Sequence, residues 1–114
     1  MPIVFAVYNL KPGASNEEYE AFLKSSKTPG FRSQSWCTAF NTWRIDQVLG
    51  PAVAELQGEL PKKSPYTYVA KIEASDLDAM NNTFNSPEGQ TLVKAWSKWV
   101  DPTSFMTAGR EVGI

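Results

Sequence analysis

Histidine is absent and cysteine occurs once, at Cys37, in a chain of 114 residues. That excludes a Ser-His-Asp triad, a Cys-His dyad, a zincin helix and a structural zinc site. A disulfide within the chain is excluded too, which fits a reducing compartment. Charge of one sign is also lacking: 11 Lys and Arg against 12 Asp and Glu give a formal net charge of -1. Neither nucleic acid nor an anionic membrane would find an electrostatic footprint on such a chain, while near-neutrality mildly favours self-association. No apolar run reaches the ~18 residues of a membrane span. The Met-Pro start lacks the charged-then-apolar order of a signal peptide, so the expected location is cytoplasmic. What remains, 42% hydrophobic and 20% charged residues, suits one globular domain over residues 1–114.

Ile3 to Leu10 is short, β-branched and aromatic, and Lys11-Pro12-Gly13 stops it, so a strand is expected there. Ser15 and Glu18 form a capping box for a helix that carries Tyr19, Phe22 and Leu23 on one side. Pro29 is expected to end that helix near Lys27. Ser35 to Ile45 reads as a second strand and Tyr66 to Glu73 as a third, with Tyr66, Tyr68, Ala70 and Ile72 alternating against Thr67, Val69, Lys71 and Glu73. Between them, residues 49–65 are punctuated by Gly and Pro, with room for one helical turn at 52–56, and read as a lid, a binding loop or a plain surface excursion. Ser75 and Asp78 cap a second helical region, which Ser86-Pro87 restarts and Asp101-Pro102 ends. Ser104 to Val112 closes the chain as a fourth strand. The order β-α-β-β-α-β specifies an α+β, ferredoxin-like sandwich: a four-stranded antiparallel sheet with two helices on one face. The first strand is apolar on both faces, so a second copy of the sheet is expected against it, making a homodimer.

Strand parity selects the first candidate residues. With Tyr68, Ala70 and Ile72 toward the helices, Lys71 and Glu73 fall with Val69 on the opposite face, where they form either an acid/base pair or a structural ion pair. Phe5, Val7 and Asn9 share that face on the first strand. Asn9 would polarise a carbonyl or cap the turn that follows. Of the 4 tryptophans, Trp96 and Trp99 continue a helix stripe, whereas Trp36 and Trp43 offer flat walls for an aromatic ligand. Arg44 is suited to a substrate carboxylate or to a solvated strand end. Cys37 reads as a small hydrophobe, because no histidine is present to activate it.

Several segments in order resemble the RedY/HapK-like family of dimeric α+β barrels. They are Tyr8-Asn9-Leu10-Lys11-Pro12-Gly13, Glu18-Tyr19-Glu20-Ala21-Phe22, Lys27-Thr28-Pro29, Pro65 to Glu73, Asp76 to Met80, and Trp99 to Met106. The EthD-like and antibiotic-biosynthesis monooxygenase families share parts of the pattern. The resemblance implies a protein of secondary metabolism, as in prodigiosin-type pathways, with no cofactor and a small aromatic, pyrrole- or indole-type intermediate as partner. It implies a cyclisation, dehydration or proton-transfer step; a cofactor-independent monooxygenase and a non-catalytic carrier are the alternatives. EthD-like relatives commonly carry a His before the helix-ending Pro, where this chain has Lys27, which thereby joins Lys71 and Glu73 as a candidate acid/base.

Overall fold

The computed structural model describes residues 2–46, 66–102, 104–110 and 112–113; the connection at 49–65, with its expected turn at 52–56, lies outside them. Four strands form one antiparallel sheet: β1 (Ile3–Tyr8), β2 (Cys37–Arg44), β3 (Tyr68–Ala74) and β4 (Phe105–Gly109), in the order β2-β3-β1-β4. Helical segments follow β1 and β3, so the ferredoxin-like architecture expected from the element order is the one observed. Among the described residues no helix is long and apolar enough to cross a membrane.

The first helical segment departs from expectation. Ser15 caps α1 (Asn16–Phe22) by accepting from the Glu18 amide at 3.3 Å. The chain does not leave helical geometry before Pro29, however. A π turn (Leu23–Lys27) runs directly into α2 (Thr28–Arg32). In an unbroken α-helix Pro29 would leave the Ser25 carbonyl without a donor and crowd it with its ring. Here the Thr28 amide reaches back to the Leu23 carbonyl, the wider closure of a π turn, which accommodates the proline. The turn has a second effect. Tyr19, Leu23, Lys27 and Phe31 are all buried and succeed each other by four residues. In a regular helix each such step drifts by about 40°. The π turn absorbs that drift and keeps all four on the face toward the sheet.

The second helical segment is α3 (Leu77–Asn85) and α4 (Pro87–Ser97). Asp76, rather than Ser75, caps α3, its side chain accepting from the Ala79 amide at 3.1 Å. Ser86 caps α4 from the Gly89 amide with Pro87 at the first position, as the sequence specifies. The corner between them is tight: a Cβ on Gly89 would overlap the Thr83 carbonyl. Beyond α4, Val100 bridges to Leu10, and the Lys11 amide donates to the Trp99 carbonyl at 2.9 Å.

Parity divides the sheet as expected. Val4, Ala6 and Tyr8, with Phe40, Tyr68, Ala70 and Ile72, are buried beneath the helices. Tyr66 does not join them; it lies ahead of β3, its ring edge-on to Phe105 at 6.0 Å. Pairing registers generate cross-sheet rows on the open face: Trp43, Val69, Val7 and Phe105 make an apolar row, and Asn41, Lys71, Phe5 and Thr107 make the next.

Candidate functional site

A cavity of about 610 Å³ lies between the helices and the sheet. Its floor exists because β1 and β3 place two small side chains, Ala6 and Ala70, directly opposite each other, with Met106 beside Ala6 in the same row. Phe22, Phe31, Trp36, Phe40, Phe84 and Trp96 form much of the wall. The aromatic cluster at one end is held firmly. Phe31 and Phe40 stack at 4.8 Å, Phe84 meets Phe31 edge-on at 5.7 Å, and Trp36 donates its indole N–H to the Thr83 hydroxyl at 2.9 Å. Arg32 fixes α2 to β2 through the Phe40 carbonyl, at 2.8 Å from Nη2. Gly30 leaves room at the wall, facing the Leu92 side chain.

Lys27 is the buried polar side chain of this cavity, whose lining also carries the exposed Glu88, Gln90 and Thr91. It is 5% exposed and makes no hydrogen bond or ion pair among the described residues. Aromatic faces surround its Nζ, at 4.3 Å from the ring centre of Trp96, 5.3 Å from Tyr8 and 5.6 Å from Phe40. Ring quadrupoles favour the ammonium, but loss of water disfavours it more strongly. Burial lowers the lysine to about 7 from an ordinary value of 10.5. Near neutrality Lys27 therefore holds and releases a proton with comparable ease, the condition for acid and base roles in one group.

Beside the cavity sits a set of phenols. Trp96 donates its indole N–H to the Tyr19 hydroxyl at 2.9 Å, and Tyr19 donates to Tyr8 at 2.7 Å. Burial raises the pKa of both tyrosines, so both stay protonated at neutral pH. Tyr68 donates to Asn16 at 3.1 Å and to Glu20 at 3.3 Å, and burial reinforced by the Glu20 charge pushes it up to about 12.

Of the residues selected from sequence, the structure brings Lys27 and Trp36 together around the cavity. The others lie elsewhere. Lys71 and Glu73 pair at 3.3 Å on the open face, each side chain a little over one-third exposed, with Phe5, Val7 and Val69 around them. Trp43 is half exposed on the same face. Arg44 bridges Glu20 at 3.3 Å. Asn9 accepts from the Thr67 amide and hydroxyl at 2.9 and 2.8 Å, tying the end of β1 to the approach to β3. Sequence reasoning passed over Ala6, Ala70, Phe31, Phe40 and Trp96 as cavity residues. The available signal was the four-residue series from Tyr19 to Phe31 with a lysine in its apolar line.

The family model described as "HapK: REDY-like protein HapK" matches residues 2–110. No curated protein sequence matches the chain at a significant level. Among solved structures, HapK from Hahella chejuensis superposes with a TM-score of 0.73 at 18% identity, over 100% of this chain and 95% of that one. SnoaB, a cofactor-independent oxygenase from Streptomyces nogalater, gives 0.68 at 13% identity, over 99% and 95%. A dimeric protein of unknown function with a ferredoxin-like fold, from Bacteroides fragilis, gives 0.61 at 12%, over 96% and 95%.

Proposed function

The chain belongs to the HapK family of REDY-like proteins, and from that premise and the Lys27 cavity we propose a protein of secondary metabolism that binds a small aromatic intermediate and assists a proton-transfer step. The ligand is of pyrrole or indole type, and the step is a cyclisation, dehydration or similar rearrangement without a bound cofactor. One observation carries the reading: a lysine that titrates near neutrality faces an apolar, aromatic-walled space of about 610 Å³, within the ordinary range for small-molecule sites. Lys27 moves the proton, and Trp36 and Trp96 hold the ring. Asn9, Arg44 and the Lys71–Glu73 pair support the scaffold around it.

The open face supports a homodimer as part of the same reading. Trp43, Val7, Val69 and Phe105 form a continuous apolar row, with Phe105 51% and Trp43 50% exposed in the single chain. A second copy of the sheet would cover that row, leaving Lys71 and Glu73 paired at the seam.

The test is a titration with indole and pyrrole-2-carboxylate, read by tryptophan fluorescence. Quenching is expected in the native protein, with at least tenfold weaker binding in Gly30→Leu, whose side chain fills the cavity. Unchanged affinity in a folded Gly30→Leu protein would remove the cavity from the reading. Oxygen uptake during turnover would reassign the reaction to a cofactor-independent monooxygenase. Intact ligand after long incubation would leave a carrier.

A further inference from the structure

We propose that Lys27 is a nucleophile toward carbonyl groups, so that the ligand class of this cavity is an aromatic aldehyde or ketone, held as an imine on Nζ. The inference rests on the cavity reading above and names the ligand class that fits it.

Three observations converge. Lys27 is buried, lines the cavity and has no hydrogen-bond or ionic partner among the described residues, so its nitrogen lone pair is uncommitted. Its close neighbours are the ring faces of Trp96, Tyr8 and Phe40, none of which is an anion at neutral pH. The titratable groups facing it are Tyr8 from β1 and, elsewhere on the cavity lining, Glu88 from α4, which makes no ion pair with it. A carboxylate against Nζ would hold an ammonium; aromatic faces in a dry site permit the free amine, the condition for a nucleophilic lysine. Burial leaves about half of Lys27 unprotonated at pH 7.

The step balances within the two reactants. Nζ attacks the carbonyl carbon and a C–N bond forms as the carbonyl π pair moves to oxygen. One Nζ proton passes to that oxygen, giving a carbinolamine. The C–O bond then breaks, and the hydroxyl leaves with the second Nζ proton as water. An apolar cavity favours this direction, because the product released is water. Protonation of the imine draws electrons from the adjacent ring and from the neighbouring carbon, which is how such a bond would assist the proposed rearrangement.

The probe is pyrrole-2-carboxaldehyde, incubated with the full chain and sodium cyanoborohydride at pH 7 and followed by intact mass and peptide mapping. The expected product is one adduct, heavier by the aldehyde less one oxygen atom, on the peptide that holds Lys27 and absent from Lys27→Met. Its rate should exceed that of a solvated lysine by about a hundredfold or more, since an ordinary lysine is almost wholly protonated at that pH. Pyrrole-2-carboxamide, which has the shape without the reactive carbonyl, separates the two levels of the reading. Amide binding without an aldehyde adduct at Lys27, or with adducts spread evenly over surface lysines, overturns the imine and leaves the cavity in place. Failure of both compounds to bind overturns the cavity reading itself.

Discussion

Replacing Lys27 by Met should stabilise the protein, and by an amount that depends on pH. Met keeps the unbranched reach of the side chain and removes the group that resists burial. In the folded chain the lysine titrates at about 7 instead of 10.5, and each tenfold change in proton affinity is worth about 1.4 kcal/mol. At pH 7 the unfolded chain is fully protonated at this position and the folded chain about half so, which sets the stability lost to Lys27 at about 4 kcal/mol. The unfolded state binds more protons here, so native stability rises with pH across the window from about 7 toward 10.5. Between pH 7 and 9 the gain should be about 2 kcal/mol. Urea unfolding at pH 6, 7, 8 and 9, at one protein concentration, measures it. Cys37, whose burial-raised thiol withdraws stability as the unfolded thiol ionises toward pH 9, contributes equally to both proteins, so the difference between them isolates Lys27. The native protein should gain stability relative to Lys27→Met over this range, and the two should approach each other as pH rises. Parallel lines, or a Met variant less stable than the native protein at pH 7, would refute the account of Lys27 as a buried, unpartnered amine.

Tyr19→Phe removes the acceptor for the Trp96 indole and the donor to Tyr8, and should cost about 1–3 kcal/mol in unfolding free energy. Gly89→Ala forces a methyl group onto the Thr83 carbonyl; a loss of about 3 kcal/mol is expected, the upper end for overpacking, and a melting point equal to the native one would contradict the tight corner. Glu73→Gln breaks an ion pair that is a little over one-third exposed, so its effect on stability should stay below about 1 kcal/mol with ligand affinity unchanged; a hundredfold loss of turnover would instead return the open-face pair to the chemistry. Val7→Glu places a charge in the middle of the apolar row, and light scattering at micromolar concentration should then report the monomer mass while the native chain reports the dimer.

Much of the fold was legible because local signals agreed with one another. The alternation from Tyr68 to Glu73 assigned those side chains to the correct faces, and Ser15 and Ser86 with Pro87 marked helix starts that the structure keeps. Proline misled where its context was not local. Pro29 reads as a stop, yet a π turn supplied the space its ring needs, and the helix continues to Arg32. That single difference hid much of the site. With the helix ended at Lys27, the series Tyr19, Leu23, Lys27 and Phe31 was not visible as one buried line, and the lysine entered by resemblance instead of by position. The Ala6–Ala70 floor was hidden for another reason: small residues in a strand signal space only once the register sets them opposite each other.

The π turn has a consequence for how this segment tolerates change. Substitutions at its solvent-facing positions, such as Lys24 or Ser25, leave the backbone closure intact. A change in length does not. Deleting one residue between Leu23 and Thr28 would let the segment close as continuous α-helix with the flanking turns in nearly the same phase, because a π turn covers about the same rotation with one residue more. Phe31 would still face Phe40 and Arg32 would still reach the Phe40 carbonyl, but the proline would sit in a regular helix interior at a cost of about 3 kcal/mol. The extra residue works like the offset on a vernier scale, bringing two helical registers into coincidence at the one position where the amine meets the cavity.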